Sequence, residues 1–167
     1  MPPVSTSYIS AELRRFVVAR AESLCEYCLI HEEDTFFGCE VDHIISEKHG
    51  GATDEQNLAL ACLFCNRNKG SDLASLAPGT DRLVRFFDAR SDQWSEHFRL
   101  ESDGITLVSL TEIGEATARI FGFNEGERLF ERDTLREMGR YPTAAAWRRI
   151  HGTAGGTPPP PWIRKRT

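Results

Sequence analysis

Two C-x-x-C pairs, Cys25/Cys28 and Cys62/Cys65, constrain this 167-residue chain more than any other feature. A C-x-x-C turn closes a tight knuckle that aims two thiolates at one centre. Two knuckles complete a tetrahedral shell of four sulfurs, which suits a structural zinc and leaves no position open for substrate. An iron–sulfur cluster is the alternative occupant. A redox role is the weaker reading, because no thioredoxin-like βαβ pattern surrounds either pair. Thirty-three residues lie between Cys28 and Cys62, more than a zinc ribbon usually places there, so something has been set between the knuckles. Structural zinc contributes on the order of 10 kcal/mol to the folding of a small module, and here it is expected to replace part of a hydrophobic core. The fifth cysteine, Cys39, is expected to pack as a small buried hydrophobe.

Five cysteines would suggest a disulfide framework only in an oxidising compartment. The opening MPPVSTSYIS has no basic region followed by an apolar stretch, so it does not read as a secretion signal. No apolar run approaches the roughly 18 residues of a membrane span. A cytoplasmic protein with no membrane partner is the expectation. The formal charge of −5 is spread unevenly: after Glu137 come Arg140, Arg148, Arg149, Arg164, Lys165 and Arg166 with no acid, which leaves −11 on the rest. Such a basic end can meet phosphate, or can be a solvated, disordered tail.

Ser10 is placed to cap a helix over about 10–23, with Leu13, Phe16, Val17 and Ala21 at helical spacing. The β-formers around Gly38, from Thr35 to Ile45, suggest two short strands. Leu58 to about Asn68 is expected to contain a helix carrying the second cysteine pair. LAPGTD, residues 76–81, reads as a linker, and Trp94–Leu100 with Ile105–Leu110 as a β-hairpin around Ser-Asp-Gly. Thr111 caps a helix ending near Gly122, and Asn124 with Glu127 resembles a capping box for another that Gly139 ends. GTAGGTPPPPWIRKRT has the composition of a disordered end.

Between the knuckles stand Asp42, His43 and Asn57, and Asn66 follows the second knuckle directly. Hydrolysis of a phosphodiester needs a base for water, stabilisation of charge at phosphorus and help for the departing 3′-oxygen. A divalent cation supplies the last two and an imidazole the first. Asp42 offers a hard oxygen to such a cation and Asn66 a second through its amide carbonyl, while His43 must stay off the metal to accept a proton. Asn57, counted with His43 among the catalytic residues, can tie the loop across the site and orient the imidazole through backbone contacts. Arg67 and Lys69 can contact backbone phosphates, or can simply be a solvated helix end.

The pattern EVDHIISEKHGG…NLALACLFCNRNKG, with both knuckles, resembles the HNH endonucleases over residues 25–70. The resemblance implies an α+β chain: a ββα-metal (HNH, His-Me finger) module held by a four-cysteine zinc, followed by a small α+β extension. It makes His43 the general base, Asp42 a metal ligand, Asn57 the middle asparagine and Asn66 the metal ligand on the helix. Asn66 stands where many members have histidine, an H-N-N variant. An amide oxygen in place of imidazole hardens the site toward magnesium or manganese. The implied partner is DNA, cut on one strand or both. The alternative is a zinc-stabilised nucleic-acid-binding module whose catalytic site has decayed, and a zinc-ribbon adaptor would leave Asp42 and Asn57 unexplained.

The expected organisation is an N-terminal helix over 1–24 packed on the module, the nuclease module over 25–76, a hairpin-and-helix extension over 81–139, and a basic, Pro/Gly-rich disordered tail over 140–167. Phe86, Phe87, Trp94 and Phe98 are expected to pack the extension onto the module rather than stack on bases.

Overall fold

A computed structural model describes residues 8–152 and 158–163. Its first helix, α1 (Ala11–Arg20), starts where the sequence indicates: the Ser10 side chain accepts from the Leu13 amide at 3.1 Å. Past α1 the chain reverses through Glu22 and Ser23, both left-handed at φ 54° and 57°. Left-handed backbone costs a residue with a Cβ about 1–2 kcal/mol, and the turn that follows holds it in place. There Leu24 bridges His31, and the Cys25 amide donates to the Ile30 carbonyl at 2.8 Å. This is the first knuckle, and every residue from Leu24 to Ile30 is buried.

β1 (Cys39–His43) and β2 (Leu58–Cys62) pair antiparallel, with Cys39 opposite Cys62 and His43 opposite Leu58. The two strands expected around Gly38 are therefore one strand, and Thr35–Gly38 is a turn, with Gly38 at φ 71°. Phe36 and Phe37 are exposed on that turn, ring against ring. The helix expected within Leu58 to Asn68 is α2 (Leu63–Lys69), which has Cys62 at its N-cap and Cys65 inside, follows β2 directly and ends at Gly70. All five residues of β2 are buried, and an apolar run of that length carries no period that separates strand from helix.

The stretch read as a linker is the turn of a hairpin, β3 (Ala74–Leu76) with β4 (Leu83–Arg85), closed by the Ala77 amide donating to Arg82. Trp94, read as the start of a strand, instead opens a single helical turn, α3 (Trp94–His97), before the paired β5 (Phe98–Leu100) and β6 (Leu107–Ser109). α4 (Glu112–Phe121) has the caps expected of it, Thr111 accepting from the Gly114 amide at 3.0 Å and Gly122 left-handed at its end. Gly114 has no alternative, because a Cβ there would lie 2.2 Å from the His97 carbonyl oxygen. α5 (Gly126–Glu137) is preceded by Glu125, not capped by Asn124. The Asn124 amide is spent on both backbone groups of Leu107, at 3.0 and 2.8 Å.

A further helix, α6 (Ala144–His151), lies inside the region expected to be disordered from residue 140. Thr143 caps it, and Ala146 and Ile150 bury its inner face. Residues 153–157 and 164–167, with Arg164, Lys165 and Arg166, fall outside the described residues.

One apolar cluster runs from α1 and the knuckle through β2 to the later helices. Phe86, Phe87, Trp94 and Phe98 are buried in it beside Tyr27, Phe121 and Phe123, as their packing role required. Trp94 donates its indole N–H to the Tyr27 carbonyl at 2.8 Å, so the extension is hydrogen-bonded to the knuckle itself. Among the described residues no helix is long and apolar enough to cross a membrane.

Candidate functional site

At one end of the β1–β2 ribbon the Sγ atoms of Cys25, Cys28, Cys62 and Cys65 lie within 4.8 Å of one another, all buried. A tetrahedron with Zn–S bonds of about 2.3 Å has edges of about 3.8 Å, and Cys28 and Cys62 are 3.8 Å apart. The thiols therefore fit a zinc site. Cys39 is buried outside this cluster, and burial pushes its thiol far above the usual range, as befits a packing residue.

A side chain with no sequence signal completes the cluster. Arg128 of α5 donates Nη2 to Cys28 Sγ at 3.1 Å and reaches Cys62 Sγ at 3.5 Å, while its guanidinium lies 4.7 Å over the Phe64 ring. Burial alone would make Arg128 easier to deprotonate, but the negative sulfurs of Cys28, Cys62 and Cys65 outweigh it and hold the cation. Tyr141 adds a hydrogen bond to the Cys28 carbonyl.

At the opposite end, Asp42, His43 and Asn66 line one shallow groove of about 340 Å³ with Glu47 and Lys48. β1 supplies the first two and α2 the third. α2 lies along β1 so that Asn66 meets Glu40, Nδ2 donating to Oε2 at 3.1 Å, and Lys69, three residues on, meets Asp42. Glu40 precedes Asp42 by two residues, and residues so spaced on a strand share a face. That spacing is the signal by which Glu40 could have been found.

Asp42 is the most enclosed of these groups. Tyr27 donates its hydroxyl to Oδ2 at 3.0 Å, and Lys69 Nζ stands 3.2 Å from each carboxylate oxygen. Burial pushes the Asp42 carboxyl above its ordinary value, and the Lys69 charge and the Tyr27 hydrogen bond only partly oppose it. Lys69, expected to touch phosphate, is 2 % exposed and also donates to the His43 carbonyl at 2.9 Å. Its ammonium is the internal counter-charge of Asp42 and has no solvent face to offer a backbone phosphate. Arg67 does point to solvent.

Asn57 sits outside the groove and ties its loop. Its Oδ1 accepts from the Ile45 amide at 2.9 Å, and its Nδ2 donates to the carbonyls of Ile45 and Ala52 at 2.8 and 2.9 Å. The same closure requires Gly51, because a Cβ there would fall 1.7 Å from the Ile45 carbonyl oxygen and 2.7 Å from Asn57 Nδ2. His43 Nε2 lies 2.8 Å from Thr53 Oγ1 in the same loop.

The oxygens at the groove, Asp42 and the Oδ1 of Asn66, suit a hard divalent cation, and the Glu40 carboxylate accepts from the Asn66 amide. Lys69 already balances one of the two carboxylate charges. The described arginines of the basic end face acids: Arg140 pairs with Asp34 at 2.6 Å, Arg148 with Glu22, and Arg149 with Glu22 and Glu26 at 3.9 and 3.6 Å.

Neither a comparison with curated proteins nor one with solved structures finds a match to this chain. Residues 25–72, from the first knuckle to just past α2, match the model of the HNH endonuclease family, the family that the paired knuckles and the D-H, N, N pattern resemble.

Proposed function

We propose that residues 25–72 form a ββα-metal nuclease module, with β1, β2 and α2 as its strands and helix, which hydrolyses phosphodiester bonds of DNA in the cytoplasm. The observation that carries this reading is the shared groove of Asp42, His43 and Asn66 on the same ribbon as a buried four-thiol cluster, at its other end. The thiols hold a structural zinc and take no part in the reaction. Asp42 and Asn66 would hold magnesium or manganese, which supplies charge stabilisation at the phosphate and at the leaving oxygen. His43 accepts a proton from water as the water oxygen bonds to phosphorus and the bond from phosphorus to the 3′-oxygen breaks. Asn57 keeps the loop closed across the groove, and Arg67 meets the backbone phosphates. The extension, 81–139, is a packing partner of the module through Trp94 and Arg128.

One observation favours a second reading, a zinc-stabilised nucleic-acid-binding module without catalysis. The Lys69 ammonium already sits on both oxygens of Asp42, where a cation would have to bind. Supercoiled plasmid decides between the two. With magnesium the protein should nick it, EDTA should stop the reaction, and His43→Ala should lower the rate by about 10²-fold or more, the usual worth of a general base. Binding without nicking, unchanged in His43→Ala, would establish the second reading instead.

A further inference from the structure

The groove histidine is held by a residue that neither its sequence pattern nor its family match singles out. His43 Nε2 lies 2.8 Å from Thr53 Oγ1, and Thr53 Oγ1 donates toward Glu47 Oε1 at 3.5 Å, the outer limit of such a contact. A threonine hydroxyl has one proton and can also accept. If that proton points at a carboxylate, which only accepts, the oxygen is left to accept from the ring. The imidazole then carries its hydrogen on Nε2, and Nδ1 keeps a bare lone pair. Among the described residues no side chain or backbone group hydrogen-bonds Nδ1, so this nitrogen is the one free to take a proton.

The loop fixes Thr53 as firmly as it fixes the ring. Asn57 Nδ2 donates to the Ala52 carbonyl, the residue before Thr53, and the Asn57 carbonyl accepts from the Ile44 amide, the residue after His43. Asn57 thus clamps both partners of the hydrogen bond without touching the ring.

We infer that Thr53 is a positioning residue: its hydroxyl, directed by Glu47, sets the ring orientation of His43 and keeps the proton on Nε2, leaving Nδ1 as the base. This rests on the reading of His43 as general base, and the two can fail separately. The alternative tautomer, with hydrogen on Nδ1, would need the hydroxyl to donate to the ring and to abandon Glu47. Which ring nitrogen carries the proton follows from the bond the other nitrogen makes.

The test compares Thr53→Val, which keeps the shape and removes the hydroxyl, with Thr53→Ser, which keeps the hydroxyl. On plasmid DNA with magnesium, Thr53→Val should lower kcat by about 10–100-fold, a share of what general-base catalysis supplies, with KM and zinc content unchanged. Thr53→Ser should restore most of kcat. Nitrogen-15 shifts of the His43 ring should show the Nε2–H form in the parent protein and a mixture of tautomers in Thr53→Val. A parent ring protonated on Nδ1, or a Thr53→Val protein with unaltered tautomer and kcat, overturns the inference. If the parent protein does not nick at all, the nuclease reading fails, and the ring spectrum still decides the role of Thr53. Should valine disturb the loop and release zinc, Thr53→Ala gives the same two readouts.

Discussion

The two ends of the β1–β2 ribbon are built on opposite principles. From Cys39 to His43 is a run of only about 13 Å at roughly 3.3 Å per residue, yet the surroundings invert along it. At the Cys39–Cys62 end four thiols are buried and sealed by Arg128 and Tyr141. At the His43–Leu58 end a strand and a helix leave a groove lined by carboxylate, imidazole and amide. A closed shell of soft ligands releases binding energy into folding, whereas an open set of hard ligands must stay partly unsatisfied to react. Asp42 shows the cost: it is kept buried against its preference, with Lys69 and Tyr27 compensating in part. The sulfur end stabilises the ribbon, and the oxygen end draws on that stability.

The largest expected effect tests the sulfur end. Removing metal with a chelator, or replacing Cys62 by Ser, should cost on the order of 10 kcal/mol of folding energy. That exceeds the stability of most small domains. Circular dichroism should show loss of the fold, and elemental analysis of the parent protein should find about one zinc per chain for its one thiol cluster. A folded, cooperative Cys62→Ser protein would mean that the ordinary core suffices and that the two ends are not divided as described.

The next effect belongs to the oxygen end. Lys69→Met removes the ammonium while keeping the apolar stem, and leaves the Asp42 carboxylate buried with the Tyr27 hydroxyl as its remaining partner. Breaking a buried ion pair on one side costs about 3–5 kcal/mol, to be read from urea unfolding. Replacing both partners, Lys69→Met with Asp42→Asn, should recover part of the loss. A loss below about 1 kcal/mol, the level of an exposed pair, would show that water reaches Asp42 and that this end is more open than its burial implies.

What the sequence disclosed follows the same division. Cysteine spacing is a local signature, so the thiol cluster was legible in full, and of the D-H, N, N pattern Asp42, His43 and Asn66 share one groove while Asn57 ties the loop outside it. Caps were legible where one side chain decides them, as at Ser10 and Thr111. Asn124 misled because a capping side chain was taken by the Leu107 backbone, a tertiary partner. The strand at Leu58–Cys62 was hidden by its total burial, which erases alternation. α6 was hidden in a region judged by its Pro/Gly-rich end, although Thr143 and three alanines had favoured a helix. Lys69 looked like a surface cation because helix position says nothing of which charge a folded neighbour will present. Arg128, a hundred residues from Cys28, had no signal at all.

Arg128 also gives the smallest and sharpest test of the comparison. Groups that hydrogen-bond metal ligands typically change metal affinity by about 10–100-fold when removed. Arg128→Met should keep much of the contact with Phe64 and lose the N–H···S bonds, so zinc should pass to a competing chelator at a concentration lower by that factor. The Glu131 carboxylate, now facing the thiolates without the guanidinium between them, works in the same direction. If the two ends are independent, the change appears in zinc retention and leaves His43-dependent nicking at saturating zinc as it was. If nicking falls while zinc stays bound, α5 reaches the groove through the ribbon, and the extension is then part of the catalytic apparatus rather than the seal of its scaffold.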